Sequence, residues 1–95
     1  MENVLLVCVN DQTKESAKSL VKAALEHNYS IEERDLIDNG DEIKFVFDDG
    51  TGGSISIDFT NENDILVIKI KADYPWEAIA VYELVASVFY SEDEV

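Results

Sequence analysis

Two stretches, Ile55-Ser56-Ile57-Asp58-Phe59-Thr60 and Leu66-Val67-Ile68-Lys69-Ile70-Lys71, carry an apolar residue at every second position. Side chains along a strand alternate between the two faces, so each stretch fits a half-buried strand and not a helix. Ile43, Phe45 and Phe47 repeat the pattern with Lys44, Val46 and Asp48 on the other side. Asp48 through Ser54, with three glycines, predicts a hairpin loop, and Asn61-Glu62-Asn63-Asp64 predicts a second turn. Residues 29–36 predict a weaker strand that the turn Asp38–Asp41 joins to the next. The centre of the chain is therefore expected to be an antiparallel meander, with Lys69 and Lys71 on its exposed face near Asp48 and Asp58.

The flanking segments follow different periods. Val4 to Val9 is a continuous apolar run of strand length, which suits a central strand covered on at least one side. Asn10 or Asp11 is expected to cap a helix in which Ala17, Leu20, Val21, Ala24 and Leu25 form one apolar stripe. Asn28 is expected to end it. Lys14, Lys18 and Lys22, four residues apart, make a basic ridge beside that stripe. Pro75 suits the first position of a last helix, which runs to about Tyr90. Its apolar arc spans about 200°, twice what one sheet face uses, with Glu77, Glu83, Ser87 and Ser91 as the polar remainder. Either the first helix or a second subunit covers the excess, and Trp76, Tyr82, Phe89 and Tyr90 are the candidate dimer contacts. The element order β-α-β-β-β-β-α predicts one α+β domain over residues 1–95. Its expected form is a two-layer sandwich, a mainly antiparallel sheet with both helices on one face, ending in a frayed tail at 91–95.

Charge narrows the function. The 95 residues hold 21 acids against seven cations, a net charge of −14. Residues 28–64 alone carry eleven acids against Arg34 and Lys44, net −9. Fourteen charges match those on about 24 Å of duplex DNA, so the anionic density approaches that of nucleic acid. Direct binding to DNA, RNA or an anionic membrane is disfavoured, and a basic protein surface is the natural complement. The candidate contact residues are Glu32, Glu33, Asp35, Asp38, Asp41 and Glu42, within eleven positions, with Asp48, Asp49, Glu62 and Asp64 on later turns. Small size and dense negative charge are shared with DNA-mimic inhibitors, such as phage anti-restriction and anti-CRISPR proteins, an analogy of charge and not of motif. The alternative is a homodimeric scaffold or chaperone-like domain, with acidity serving solubility alone.

Catalytic and cofactor chemistry find little to work with. The lone His27, at a helix end, and the lone Cys8, expected to be a small buried hydrophobe, form no metal set and no nucleophile–base pair. The glycines after Asp48-Asp49 lack the following helix and lysine of a phosphate cradle, and the segment lacks the acidic spacing of a calcium loop. No enzyme activity and no cofactor are expected. With no run of about 18 apolar residues and no basic leader before Val4, a cytoplasmic protein is expected.

Overall fold

The computed structural model describes residues 3–29, 36–46 and 53–90. It is an α+β fold with the element order read from the sequence. The strands are β1 (Asn3–Asn10), β2 (Ile37–Asp38), β3 (Glu42–Val46), β4 (Ser54–Glu62) and β5 (Ile65–Ala72). The helices are α1 (Lys14–Tyr29), after β1, and α2 (Pro75–Tyr90), after β5. All neighbouring strands are antiparallel, in the spatial order β1-β5-β4-β3-β2. The meander is present as expected, and β1 joins it at the outer side of β5.

One set of alternating side chains makes the core. Ile43 and Phe45, Ile55, Ile57 and Phe59, and Leu66, Ile68 and Ile70 are all buried, together with Val7 and Val9 of β1. They meet Ala17, Val21 and Leu25 of α1 and Ala78, Val81 and Val85 of α2. The α2 helix packs on β1 and β5, while α1 packs on β4 and on α2. The opposite sheet face is left open. Cross-strand pairing lines up Val4, Lys71, Ser56 and Lys44 in one row of it, and Leu6, Lys69, Asp58 and Glu42 in the next. Lys71 reaches Asp58 at 3.6 Å, as the alternation implied.

Several expectations are corrected. The apolar run Val4–Val9 is an edge strand, not a central one, because β5 is its only neighbour among the described residues. Its even-numbered side chains face the open side, so Val4, Leu6 and Cys8 are exposed; Cys8 is a free surface thiol and no part of the core. A continuous apolar run records that a strand is apolar on both faces, not that both faces are covered. The helix cap is Thr13, whose Oγ1 accepts the Ser16 N–H at 3.0 Å, while Asp11 takes the left-handed conformation at φ 61°. Asn28 does not stop α1; it lies within the last turn and donates its side-chain amide to the Ala24 carbonyl at 2.8 Å. Leu20, assigned to the packing stripe, is exposed. The strand expected over 29–36 is instead helix at Tyr29, a buried Leu36 and the two-residue β2 beyond it; residues 30–35 lie outside the described residues. Phe47, most of the glycine loop and the tail at 91–95 also lie outside them. Glu77, placed on the polar side of α2, is fully buried.

Candidate functional site

The lysine ridge of α1 and the acidic segment after β2 meet. Lys18 and Lys22, one helical turn apart, each place Nζ at 3.0 Å from one oxygen of the Asp38 carboxylate. Lys18 also donates to the Gly40 carbonyl at 2.7 Å, and Lys14 bridges to Asp41 at 3.2 Å. Gly40, at φ 92°, turns the chain so that its own N–H reaches Asp38 Oδ1 at 2.9 Å. Glycine suits that conformation because it has no Cβ to clash. The Gly40 N–H, followed by the two lysines, holds the Asp38 carboxyl far below the usual carboxylate range. Glu42 is likewise lowered, first by the Ser56 hydroxyl donating at 2.6 Å and then by the Asn39 amide.

This changes what the acidic segment can offer a partner. Asp38 is held by two lysines, Asp41 pairs with Lys14 while staying largely exposed, and Glu42 lies on the open sheet face beside its hydroxyl donor. Glu32, Glu33, Asp35, Asp48 and Asp49 lie outside the described residues. Of the residues singled out from the sequence, Glu62 and Asp64 stand exposed at the β4–β5 turn, and neither makes an ion pair among the described residues.

Two acids missed from the sequence join them. The pairings Asn10↔Ile65 and Glu62↔Ile65 bring the end of β1 to the β4–β5 turn, so Asp11 emerges beside Glu62 and Asp64. Glu15, in the first turn of α1, lines an open cleft of about 480 Å³ with Thr13, Lys14, Lys18, Gly40, Asp41 and Asn61. Asp11, Glu15, Glu62 and Asp64 are all exposed. They cluster at one end of the sheet because two chain turns and a helix start converge there. Asn10-Asp11 and Asn63-Asp64 each pair a strand end with residues that tolerate the left-handed conformation, the one signal that marked these turns.

The α2 aromatics are split. Trp76 is exposed and stacks on Tyr74 with ring centroids 4.7 Å apart. Tyr82 and Phe89 are half-buried against the core, which takes up part of the wide apolar arc. Tyr90 is exposed and its hydroxyl donates to the Cys8 carbonyl of the edge strand. Among the described residues no group of three or more His, Cys, Asp or Glu side chains could hold a metal ion. No helix there is long and apolar enough to cross a membrane. No known family matches the chain, and no curated protein shows significant similarity to it.

Proposed function

We propose that the protein is a small acidic protein-binding module that occupies a basic surface of a larger protein, and is not an enzyme. The supporting observation is the way its few cations are used. Lys14, Lys18 and Lys22 are engaged by Asp38 and Asp41, and Lys71 by Asp58. Setting these four lysines and three aspartates aside leaves 18 of the 21 acids against Arg34, Lys44 and Lys69, so the remaining groups carry the whole anionic excess. Asp11, Glu15, Glu62 and Asp64 form the part of that surface with a defined geometry, and it is these residues, rather than Asp38 or Asp41, that meet the partner. Electrostatic complementarity of this kind raises the association rate and rejects partners of like charge. The surfaces richest in cations belong to proteins that handle nucleic acid, so a nucleic-acid-processing enzyme is the partner class that fits, with the module acting as inhibitor or adaptor. An exposed free thiol at Cys8 suits a reducing, cytoplasmic setting.

The test compares the wild-type chain with a variant carrying Asp11→Asn, Glu15→Gln, Glu62→Gln and Asp64→Asn, both immobilised in host lysate. The expected result is a basic protein retained by the wild type in about 50 mM salt, lost by about 500 mM, and not retained by the variant. Retention of the same proteins by the variant, or undiminished retention in high salt, refutes the reading.

A further inference from the structure

The β1 edge is the most unusual surface of this acidic molecule. It is eight residues long and holds no charge, no proline and no bulge between Asn3 and Asn10. Natural edge strands are commonly blunted by such features, because an open row of N–H and C=O groups pairs with whatever strand it meets. Here the exposed face adds apolar side chains, Val4 at 48% and Leu6 at 52% exposure. On the helix side, Ile79, Ala86 and Tyr90 fall within about 40° of one another on α2. Ile79 and Tyr90 are each about half exposed, and the contact of Tyr90 with Cys8 places this stripe above the same edge.

We propose that this edge pairs with the β1 edge of a second copy, antiparallel about a two-fold axis at Leu6, giving one continuous ten-stranded sheet with the two α2 helices side by side above the junction. This goes beyond the binding of a basic partner and does not depend on it. The register follows from two facts. Residues directly opposite in an antiparallel pair share a face, so even-numbered residues must meet even-numbered ones to keep Val4, Leu6 and Cys8 on the open side. A helix-borne hydroxyl can reach the Cys8 carbonyl only if that carbonyl points away from β5, so the outward-facing backbone groups are those of the even residues. Pairing through Leu6 sets Leu6 opposite Leu6 of the other copy and Val4 opposite its Cys8, so on pairing the Val4 N–H of the other copy replaces the Tyr90 hydroxyl on the Cys8 carbonyl.

Charge favours this occupant at this place. Two chains of −14 repel over most of their surfaces. Beside β1, however, the nearest charged side chains on the open face among the described residues are Lys71, across from Val4, and Lys69, across from Leu6. Size is sufficient too. The seven residues Asn3–Val9 that overlap span about 24 Å, and one sheet layer plus one helix layer stand about 20 Å high. The two copies together then bury about 1,000 Å², the lower limit for a specific interface.

Sedimentation velocity from a few to a few hundred micromolar tests this. The wild type is expected to show twice the 10.7 kDa chain mass at the upper concentrations. Leu6→Lys, at an exposed position, is expected to remain folded by circular dichroism and to sediment as a monomer. Leu6→Cys combined with Cys8→Ser is expected to form a disulfide-linked dimer on mild oxidation, since opposite Cα atoms lie within disulfide range. That variant decides the matter even if Leu6→Lys fails to fold. A monomeric wild type throughout, a Leu6→Lys protein that still dimerises, or no cross-link in a dimeric Leu6→Cys variant each overturns the proposal. Salt separates it from the basic-partner reading. Screening strengthens the association of two anions and weakens that of an anion with a cation.

Discussion

Gly53 lies directly against the carboxylate of Glu77, so closely that a Cβ built on Gly53 would stand 2.8 Å from the Glu77 carboxyl carbon. Glu77 is wholly buried in the first turn of α2, two residues after Pro75. An acid in that turn favours the helix dipole, and the missing side chain at Gly53 leaves room for it. Gly53→Ala is therefore expected to destabilise by about 1–3 kcal/mol, the usual range for overpacking. Gly53 does not adopt a left-handed conformation, so the cost is steric and not backbone strain. A double-mutant cycle with Glu77→Ala, followed by urea unfolding, should show that Gly53→Ala costs little once the carboxylate is gone. Additive effects would mean that the two residues do not meet.

The lysine clamp on Asp38 gives a signed pH dependence. Its folded carboxyl is depressed below the ordinary value of about 3.9, so the folded state favours the charged form. The stability this contributes is complete above about pH 5 and is lost as the pH falls toward the folded value. Asp38→Asn should cost about 1 kcal/mol at neutral pH, a modest figure because solvent screens a carboxylate still partly exposed. It should also flatten the acid limb of the stability curve. Thermal melts of both proteins from pH 7 to pH 3 check this; parallel curves would deny the clamp its role.

What could be read in the sequence was whatever has a short period. The alternation in 43–45, 55–59 and 66–70 named the buried side chains of three strands correctly, and the helical spacing placed Ala17, Val21 and Leu25 inward. The partner of each element was harder to see. Val4–Val9 reads the same whether the strand is central or at an edge, and its position depends on β5 taking its inner side. The ridge Lys14-Lys18-Lys22 was visible, but its targets Asp38 and Asp41 lie 16 to 27 residues away, and only the fold brings them together. Glu77 was misplaced because a helical wheel treats every glutamate as solvated, and the gap that receives it is created by a glycine 24 positions earlier (77 less 53). Thus the acidic segment was legible as a composition, while the internal pairing of Asp38 and Asp41 with the α1 lysines needed the fold.

The β4–β5 hairpin offers a local test. Asn63 and Asp64 have φ of 51° and 70°, both left-handed, as a two-residue type I′ turn requires. Asp64→Gly produces the Asn-Gly pair that this turn prefers and removes one exposed charge. It is expected to raise stability by several tenths of a kcal/mol up to about 1 kcal/mol. Asp64→Val, whose branched side chain opposes positive φ, is expected to lower it by about 1–2 kcal/mol. Urea midpoints for the two variants should fall on opposite sides of the wild type; equal shifts in one direction would contradict the turn geometry.

The start of α1 distinguishes what the chain does from what its composition suggests. Asn10, Asp11 and Thr13 are all residue types that cap helices, and the first two stand nearest the apolar strand. In the structure Asn10 is still paired in β1, Asp11 bends the chain in the left-handed region, and only Thr13 turns its oxygen onto a helical N–H. The Thr13 carbonyl also accepts the first helical bond, from the Ala17 N–H at 3.0 Å. Removing the true cap strands a helix N–H, whereas removing a neighbour does not. Thr13→Ala should therefore cost about 1 kcal/mol, while Asn10→Ala should be near neutral. Asp11→Gly should be neutral or slightly stabilising, because glycine adopts a φ of 61° without strain. Urea unfolding of the three single variants measures the ranking. If Asp11→Gly were the costly one, the helix would begin two residues earlier, and the acidic end built from Asp11, Glu15, Glu62 and Asp64 would lose the corner that brings it together.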